Sequence, residues 1–186
     1  MYLPKKPAGV SCHMYGKKQS TTLNHIYKRN HSMNAIDQKL ASMGITIPPS
    51  VMPAANYVPY TVSGNLVFVS GTLPMKDGKP QDIGKLGKEF TVEHGQSTAR
   101  LCGINILAHL KAACGGDLSR VVRCVRMGIF VGSAAGFTDQ PKVANGVSDM
   151  MVEIFGEAGK HARFAVGVSE LPFGVAVEVD ATFEIK

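Results

Sequence analysis

The chain has 186 residues, which is enough for one domain of ordinary size and a short additional segment. It is 45% hydrophobic and carries a net charge of +6. No apolar run reaches the roughly 18 residues of a membrane-spanning helix, so no membrane association is expected.

The net positive charge is confined to the amino-terminal segment. Residues 1–36 contain no Asp or Glu, and the basic residues among them account for the whole charge of +6. These residues are Lys5, Lys6, Lys17, Lys18, Lys28 and Arg29. The rest of the chain is electrically balanced, so it lacks the basic surface that binds DNA or RNA. No nucleic-acid partner is expected.

Residues 1–34 are predicted to be a disordered basic extension that precedes a domain of residues 35–186. Three origins stay open: a mitochondrial transit peptide, a segment added by the vector or gene prediction (Met33 being a plausible start), or a functional basic arm. An apolar stretch typical of a secretory signal is lacking, so a cytoplasmic or mitochondrial location is expected.

The four cysteines, Cys12, Cys102, Cys114 and Cys124, show no Cys-x-x-Cys spacing. Three of them fall in apolar, periodic segments. The pattern favours reduced thiols in the core over disulfides or metal ligands.

The first half of the domain begins with a predicted short amphipathic helix over Ala35–Met43. The segment Ile45–Pro53 contains too much proline to be helical. Two strands follow, Tyr57–Val62 and Asn65–Ser70, around a turn at Ser63–Gly64. Residues 73–88 are predicted to form a polar loop.

Two helices are predicted in the second half. Apolar residues recur every three or four positions from Thr91 to Cys114, and Gly115 follows as a helix stop. A long strand is predicted over Ser119–Val131. The second helix starts near Asp139, with Pro141 in its first turn, and ends at Gly156.

The segment from His161 to Phe183 is predicted to form two strands joined by a turn at Pro172. The first carries Arg163 and the second Glu178. A charge among apolar neighbours needs a partner, because leaving it buried and unpaired costs several kcal/mol. Arg163 therefore predicts either an ion pair with Glu178 or Asp180 or a site for a bound carboxylate.

The predicted order ββαβαββ indicates an α+β sandwich, in which two helices pack on one face of a mixed sheet. The sheet carries more apolar residues than two helices are expected to cover. These residues are Val121, Val125, Val177, Val179 and Phe183. An uncovered apolar sheet face predicts an oligomer.

Residues 50–186 resemble the RidA (YjgF) family of reactive intermediate deaminases. The most specific matches are Arg163, the turn Leu171–Pro172 and the run Val177–Val179, and the strand Asn65–Gly71 agrees as well. The resemblance implies a chorismate-mutase-like sandwich and a homotrimer with sites at subunit interfaces.

The resemblance also implies an activity. Family members hydrolyse reactive enamines and imines of amino acids, such as 2-iminopropanoate or 2-iminobutanoate, to a 2-keto acid and ammonia. No metal or organic cofactor is expected. One alternative is a non-catalytic family member that binds a small carboxylate or a protein. Another is a ribonuclease or translation inhibitor, since the family was formerly labelled endoribonuclease L-PSP.

Two residues match the family's catalytic positions. Arg163 matches the arginine that binds the substrate carboxylate, for which a planar guanidinium offers two parallel hydrogen bonds. Glu178 matches the glutamate that positions the attacking water, a role that a half-buried carboxyl of raised pKa can fill. The alternative for Glu178 is a solvated residue on the polar side of its strand.

Four further residues match substrate-binding positions: Tyr57, Ser70, Gly71 and Asn145. The resemblance implies that Tyr57 comes from the neighbouring subunit, and for each of the four an ordinary structural role is the alternative. Ala165 stands where many members have a cysteine, which excludes a thiol-dependent step there. His161 is a further candidate proton donor, with a surface histidine as the alternative.

Overall fold

The computed structural model describes residues 34–52 and 56–186. The predicted basic extension and Cys12 lie outside these residues, so their interpretation stays a prediction. In chain order the elements are α1 (Ala35–Ser42), β1 (Tyr60–Ser63), β2 (Leu66–Thr72), β3 (Met75–Lys76), β4 (Lys79–Pro80), α2 (Val92–Ala113), β5 (Val121–Gly132), α3 (Gln140–Phe155), β6 (Ala162–Val168) and β7 (Val177–Ile185).

Five strands form one mixed sheet in the order β1-β2-β7-β5-β6. Only β5 and β6 run parallel; the other neighbouring strands are antiparallel. The short strands β3 and β4 form a separate hairpin inside the segment that was predicted to be a loop. The main sheet and the two long helices follow the predicted order ββαβαββ.

The last two strands are not neighbours, although the sequence places them on either side of one turn. β5 lies between them and pairs with both. The connection after β6 therefore passes across the end of β5 before the chain returns as β7. Consequently β6 is an edge strand of the sheet.

Both long helices begin and end close to where the sequence predicts. The Thr91 side chain accepts a hydrogen bond from the backbone N–H of His94, which caps α2. Gly115 takes a positive φ of 67° just after the helix, and Pro141 stands in the first turn of α3. None of the described helices is long and apolar enough to cross a membrane.

The core lies between the sheet and the helices α2 and α3. Val177, Val179 and Phe183 are fully buried there, and Val121 packs against it. The prediction that these four residues belong to an uncovered sheet face was therefore wrong; the fifth, Val125, is half-buried. The prediction failed because two long helices cover one whole face of a five-stranded sheet.

The opposite face of the sheet, here called the open face, carries a different set of residues. Phe130 and Phe164 meet edge to face with ring centroids 5.3 Å apart, and the Arg126 guanidinium stacks over Phe164 at 4.9 Å. Arg126 also forms an ion pair with Asp180 at 3.2 Å. Phe68 is exposed on the same face. No helix among the described residues covers this mixed aromatic and charged surface.

The described cysteines are core thiols, as predicted. Cys102, Cys114 and Cys124 are buried and unpaired. Burial raises the pKa of all three thiols, that of Cys124 to about 12. They are consequently protonated and unreactive at neutral pH.

Candidate functional site

Arg163 lies on the edge strand β6, and its side chain points to the side of the sheet that α3 covers. Its guanidinium donates hydrogen bonds to Ser148 Oγ at 2.8 Å, to Asn145 Oδ1 at 2.8 Å and to the carbonyl of Pro141 at 3.2 Å. All three acceptors are neutral. The cation is thus held in one orientation by helix α3 without being neutralised.

Within the described part of the chain, Arg163 forms no ion pair with a carboxylate. Asp180, one of the two predicted partners, pairs with Arg126 instead. Glu178, the other, projects from the opposite face of the sheet. The ion-pair interpretation of Arg163 is therefore wrong for a single chain, and the guanidinium remains available to a bound anion.

His161 supports Arg163 indirectly. Its Nδ1 lies 2.7 Å from the carbonyl oxygen of Gly159, which can only accept, so Nδ1 carries the proton. Its Nε2 then accepts a hydrogen bond from the Ser148 hydroxyl at 3.1 Å. Ser148 thus accepts from Arg163 and donates to His161.

Burial is the main cause that lowers the pKa of His161. The hydrogen bond to the carbonyl of Gly159 opposes this in part, and the positive charge of Arg163 lowers the pKa by a smaller amount. The imidazole is therefore neutral at pH 7 and has already donated its only N–H. This arrangement does not suit the predicted role of proton donor. Sequence reasoning missed Ser148 altogether, because nothing local marks a serine on α3 as a partner of a strand residue.

Glu178 stands at the centre of a second cluster, on the open face of β7. The pairing of β2 with β7 is irregular between Val69 and Thr72, which places Ser70 and Gly71 in a bulge beside Glu178. A Cβ atom at Gly71 would collide with the Glu178 carboxylate. Glycine is therefore required for the carboxylate to lie against the backbone here.

The carboxyl of Glu178 is half-buried, and its environment disfavours ionisation. Burial raises the pKa of Glu178, and the neighbouring Asp180 carboxylate raises it further. The pKa thus shifts toward the range in which a carboxyl can both accept and return a proton. The predicted catalytic role of Glu178 depends on this electrostatic condition, and the role itself stays a prediction.

Ser70 fixes the chain segment that carries Tyr57. Its hydroxyl donates to the carbonyl of Val58 at 2.7 Å, and its backbone N–H donates to the carbonyl of Pro59 at 3.0 Å. Tyr57 itself is 56% exposed. Tyr57, Ser70 and Gly71 line one cavity of about 430 Å³, whose other walls come from residues 48–52, from the strand end near residue 73 and from helix α2.

The predicted site residues therefore form two separate half-sites. The first consists of Arg163 and Asn145 on the helix side of β6; the second consists of Glu178, Gly71, Ser70 and Tyr57. In the sheet register Arg163 pairs with Met127, whose side chain is buried in the core. Glu178 pairs with Phe130 on the open face. Because the sheet lies between them, one small ligand cannot touch Arg163 and Glu178 of the same chain.

Two further observations concern the chemistry of this region. Ala165 packs against the core next to Arg163, so no thiol is present at that position. Among residues 34–52 and 56–186, no group of three or more His, Cys, Asp or Glu side chains is placed to hold a metal ion.

A family described as "YjgF/chorismate mutase-like, putative endoribonuclease" matches residues 37–180 of the chain. The chain is also similar to the protein TCP17 of Trypanosoma cruzi. The two are 48% identical over 148 residues, which is 79% of this chain and 92% of the relative. The family match includes the two half-sites.

Solved structures show the same likeness. The protein Atu1372 of unknown function from Agrobacterium tumefaciens is 46% identical, with a TM-score of 0.76 over 81% of this chain and 92% of that chain. A "putative endoribonuclease" from Shewanella oneidensis is 33% identical, with a TM-score of 0.78 over 82% of this chain and the whole of the other. These likenesses agree with the predicted α+β sandwich.

Proposed function

The chain belongs to the YjgF/chorismate mutase-like family, and from this we propose that it hydrolyses reactive enamines and imines of amino acids. The products are a 2-keto acid and ammonia, and 2-iminopropanoate and 2-iminobutanoate are the smallest substrates of this class. The observation that carries the proposal is the state of Arg163. Its guanidinium is oriented by neutral acceptors and pairs with no carboxylate of residues 34–52 and 56–186, which prepares it to bind the carboxylate of such a substrate.

The reaction requires the addition of one water to a C=N bond. In the proposed mechanism the Glu178 carboxylate takes a proton from the water, while the water oxygen bonds to C2 of the imine. The same carboxyl then returns the proton to nitrogen, which gives a carbinolamine with a hydroxyl and an amine on C2. In a second transfer it takes the proton of the C2 hydroxyl and delivers it to the amine nitrogen, so that the C–N bond breaks, ammonia leaves and the C2–O bond becomes a carbonyl. The raised pKa of Glu178 supports both transfers. Neither transfer needs a metal or an organic cofactor.

We further propose that the active assembly is a homotrimer with sites at the subunit interfaces. Each site would combine Arg163 and Asn145 of one copy with Glu178, Gly71 and Ser70 of the next. Tyr57 would come from the copy that supplies Glu178. Two features support this arrangement: the sheet separates the half-sites within one chain, and the open face exposes aromatic side chains that a second copy would cover.

A coupled assay tests the activity. An amino acid oxidase or a dehydratase generates the imine, and the release of keto acid is measured with and without the protein. We expect the protein to accelerate the release above the spontaneous rate and the substitution Arg163→Ala to abolish that acceleration. Arg100→Ala is the matched control, since Arg100 pairs with Glu153 on the helix surface away from the site. Normal turnover by Arg163→Ala would refute the proposed role.

A second candidate is RNA cleavage, because the family description and one relative's name both contain the word endoribonuclease. The balanced charge of the chain after residue 36 argues against it. Incubation of the full chain with RNA, with a ribonuclease inhibitor as control, separates the two activities. Cleavage that resists the inhibitor and is lost in Arg163→Ala would favour the ribonuclease.

A non-catalytic binder would use the same residues without turnover. Calorimetry with pyruvate then gives binding that depends on Arg163, while the coupled assay shows no acceleration. This pair of results would replace the deaminase by a small-carboxylate receptor.

A further inference from the structure

The cavity lined by Tyr57, Ser70 and Gly71 adjoins Glu178 at Gly71 and is larger than the smallest substrates require. Its volume is about 430 Å³, and it is continuous with the half-site because Ser70 and Gly71 line it. Cavities of about 300–1,000 Å³ accommodate ligands of many atoms. The side chain of 2-iminopropanoate is a single methyl group, which would leave most of this volume unfilled.

The walls of the cavity are mainly apolar. They come from the proline-rich segment after α1, the segment just before β1, the end of β2 with the hairpin after it, one face of α2 and Phe173; Asp77 at the hairpin turn adds one acidic side chain. The apolar side chains that the argument uses are Pro48, Pro49, Met52, Leu73, Met75 and Ala108. Such a surface recognises hydrocarbon and excludes charge.

The proline-rich segment is fixed in position rather than loosely laid over the helix. Ser50 Oγ lies 2.8 Å from His109 Nδ1, which ties the segment to α2. Pro48 and Pro49 stiffen the chain just before this contact because their φ angles are fixed. Burial lowers the pKa of His109, so its ring adds no positive charge to the cavity at pH 7.

The opposite wall is fixed in a similar way by Asn105 of α2. Its side-chain amide donates to the carbonyls of Leu73 at 3.1 Å and Met75 at 3.0 Å. Asn105 is 9% exposed, so these bonds lie at the base of the cavity. Both walls are therefore held by side-chain hydrogen bonds from one helix, which gives the cavity a defined shape before any ligand binds.

We propose that this cavity is the side-chain pocket of the site, and that the preferred substrates are imines or enamines of amino acids with large apolar side chains, such as leucine, methionine and phenylalanine. The proposal rests on the deaminase function argued above. With the reacting carbon beside Glu178 and Gly71, the substrate's side chain extends into the cavity and buries its carbons against the apolar walls.

The size of the preference follows from the hydrophobic effect. Each buried methylene group is worth roughly a fourfold change in affinity. A leucine-derived imine buries three more carbons than the alanine-derived one, in a cavity that is partly open to solvent. We therefore expect kcat/KM for the leucine-derived imine to exceed that for the alanine-derived imine by about tenfold or more. Equal values, or a preference for the alanine-derived imine, would overturn the proposal.

Variants of the wall test the pocket directly. Ala108→Leu fills part of the cavity, so the ratio of kcat/KM between the leucine- and alanine-derived imines should fall about tenfold. Ala108 is buried, so a thermal melt must first show that this variant folds. Met52→Ala avoids that concern because Met52 is 66% exposed, and it should lower the same ratio by about fourfold.

Ile83→Ala is the matched control for Met52→Ala. Ile83 is 61% exposed and does not line the cavity, so this variant should keep the wild-type ratio. If Met52→Ala and a folded Ala108→Leu both keep the wild-type ratio, the pocket assignment is wrong even though the deaminase function stands.

The pocket can also be tested if the chain accelerates no imine hydrolysis, a result that would refute the deaminase function itself. Calorimetry of the full chain with 4-methyl-2-oxopentanoate and with pyruvate then compares a branched and a short keto acid. Binding of the branched acid about tenfold more tightly supports the pocket. Equal or weaker binding overturns it.

Discussion

At the scale of single residues, the environment of a side chain decides what its charge can do. Arg163 and Arg126 lie on opposite faces of the sheet, and among the described residues only Arg126 of the two is paired with a carboxylate. Arg163 bonds to a hydroxyl, an amide oxygen and a backbone carbonyl. The sequence predicted that Arg163 needs a partner, because a charge among apolar residues always does. It left open which partner, since the acceptors belong to a helix about 20 residues earlier in the chain.

Glu178 leads to a prediction about stability and pH. Its pKa in the folded chain is raised above the ordinary value of 4.5, so the folded state binds the proton more tightly than the unfolded state. Stability is therefore lost as the pH rises from the unfolded-state pKa through the folded-state pKa. Glu178→Gln removes this penalty. Because the group is half-exposed, the gain stays below about 1 kcal/mol, which corresponds to a rise in Tm of less than about 2–4 °C at pH 7.

Thermal melts of Glu178→Gln between pH 4 and pH 8 check this prediction. The advantage over the wild type should vanish toward pH 4, where the glutamate is protonated in both states. Glu184→Gln is the control, since Glu184 pairs with Arg123 and its loss should not stabilise the chain. The stability of Glu178→Gln relative to wild type should be greater at pH 7 than at pH 4. The opposite order would contradict a raised pKa of Glu178 in the folded chain.

At the scale of elements, hydrophobic periodicity predicted the helices well and the strand neighbours poorly. The apolar residues of α2 and of α3 recur with the helical period because each helix buries one face, so the signal lies within the helix's own sequence. Strand pairing has no such local signal. β6 and β7 are separated by only eight residues, yet β5 lies between them because a parallel β5–β6 pair is joined by the crossover helix α3. The hairpin β3–β4 was missed because each strand has only two residues.

The packing of α2 on α3 gives an element-scale prediction. A Cβ at Gly146 in α3 would collide with the backbone carbonyl oxygen of Gln96 in α2, which cannot move independently of its helix. Gly146→Ala should therefore destabilise the chain by about 1–3 kcal/mol, although alanine is the better helix former by roughly 1 kcal/mol. Denaturant unfolding measures the change.

Gly103→Ala is the matched control on the other helix. There the new Cβ would meet the ends of the Met150 and Val147 side chains, of which the methionine is flexible. This substitution should cost clearly less than Gly146→Ala. Equal losses for both variants would show that backbone contact is not the deciding factor.

At the scale of the whole molecule, the sheet divides the predicted site into two halves. Arg163 and Asn145 lie on one side, and Glu178 lies on the other beside Gly71. The open face of the same sheet carries the exposed Phe68 and the half-buried Phe130 and Phe164. A cyclic assembly of identical chains offers a single arrangement that covers this face and brings complementary halves together.

Complementation between inactive variants tests that arrangement. Arg163→Ala and Glu178→Ala should each lack activity alone. When the two are mixed, denatured and refolded together, a mixed trimer contains one site with both wild-type residues. Random assembly then restores about a quarter of the wild-type sites.

The control refolds each variant by itself, which should leave it inactive. Coupled-assay activity near a quarter of the wild-type value in the mixture supports sites shared between copies. A refolded mixture that stays as inactive as the two separate variants would contradict the proposed interface. Light scattering measures the mass in solution and so reports the number of chains independently.

The sequence by itself determined the local features: two helices with one buried face each, the apolar strands, the capping residues and the neutral charge of the domain. Together with the family resemblance it also indicated the chorismate-mutase-like α+β sandwich, which is confirmed. These features are readable because each depends on residues within a few positions of one another. Only the tertiary structure decided that Val177, Val179 and Phe183 are covered, and that Arg163 and Glu178 lie on opposite faces. Those outcomes depend on which strands become neighbours, and strand order is set by packing of the whole chain rather than by any local run of residues.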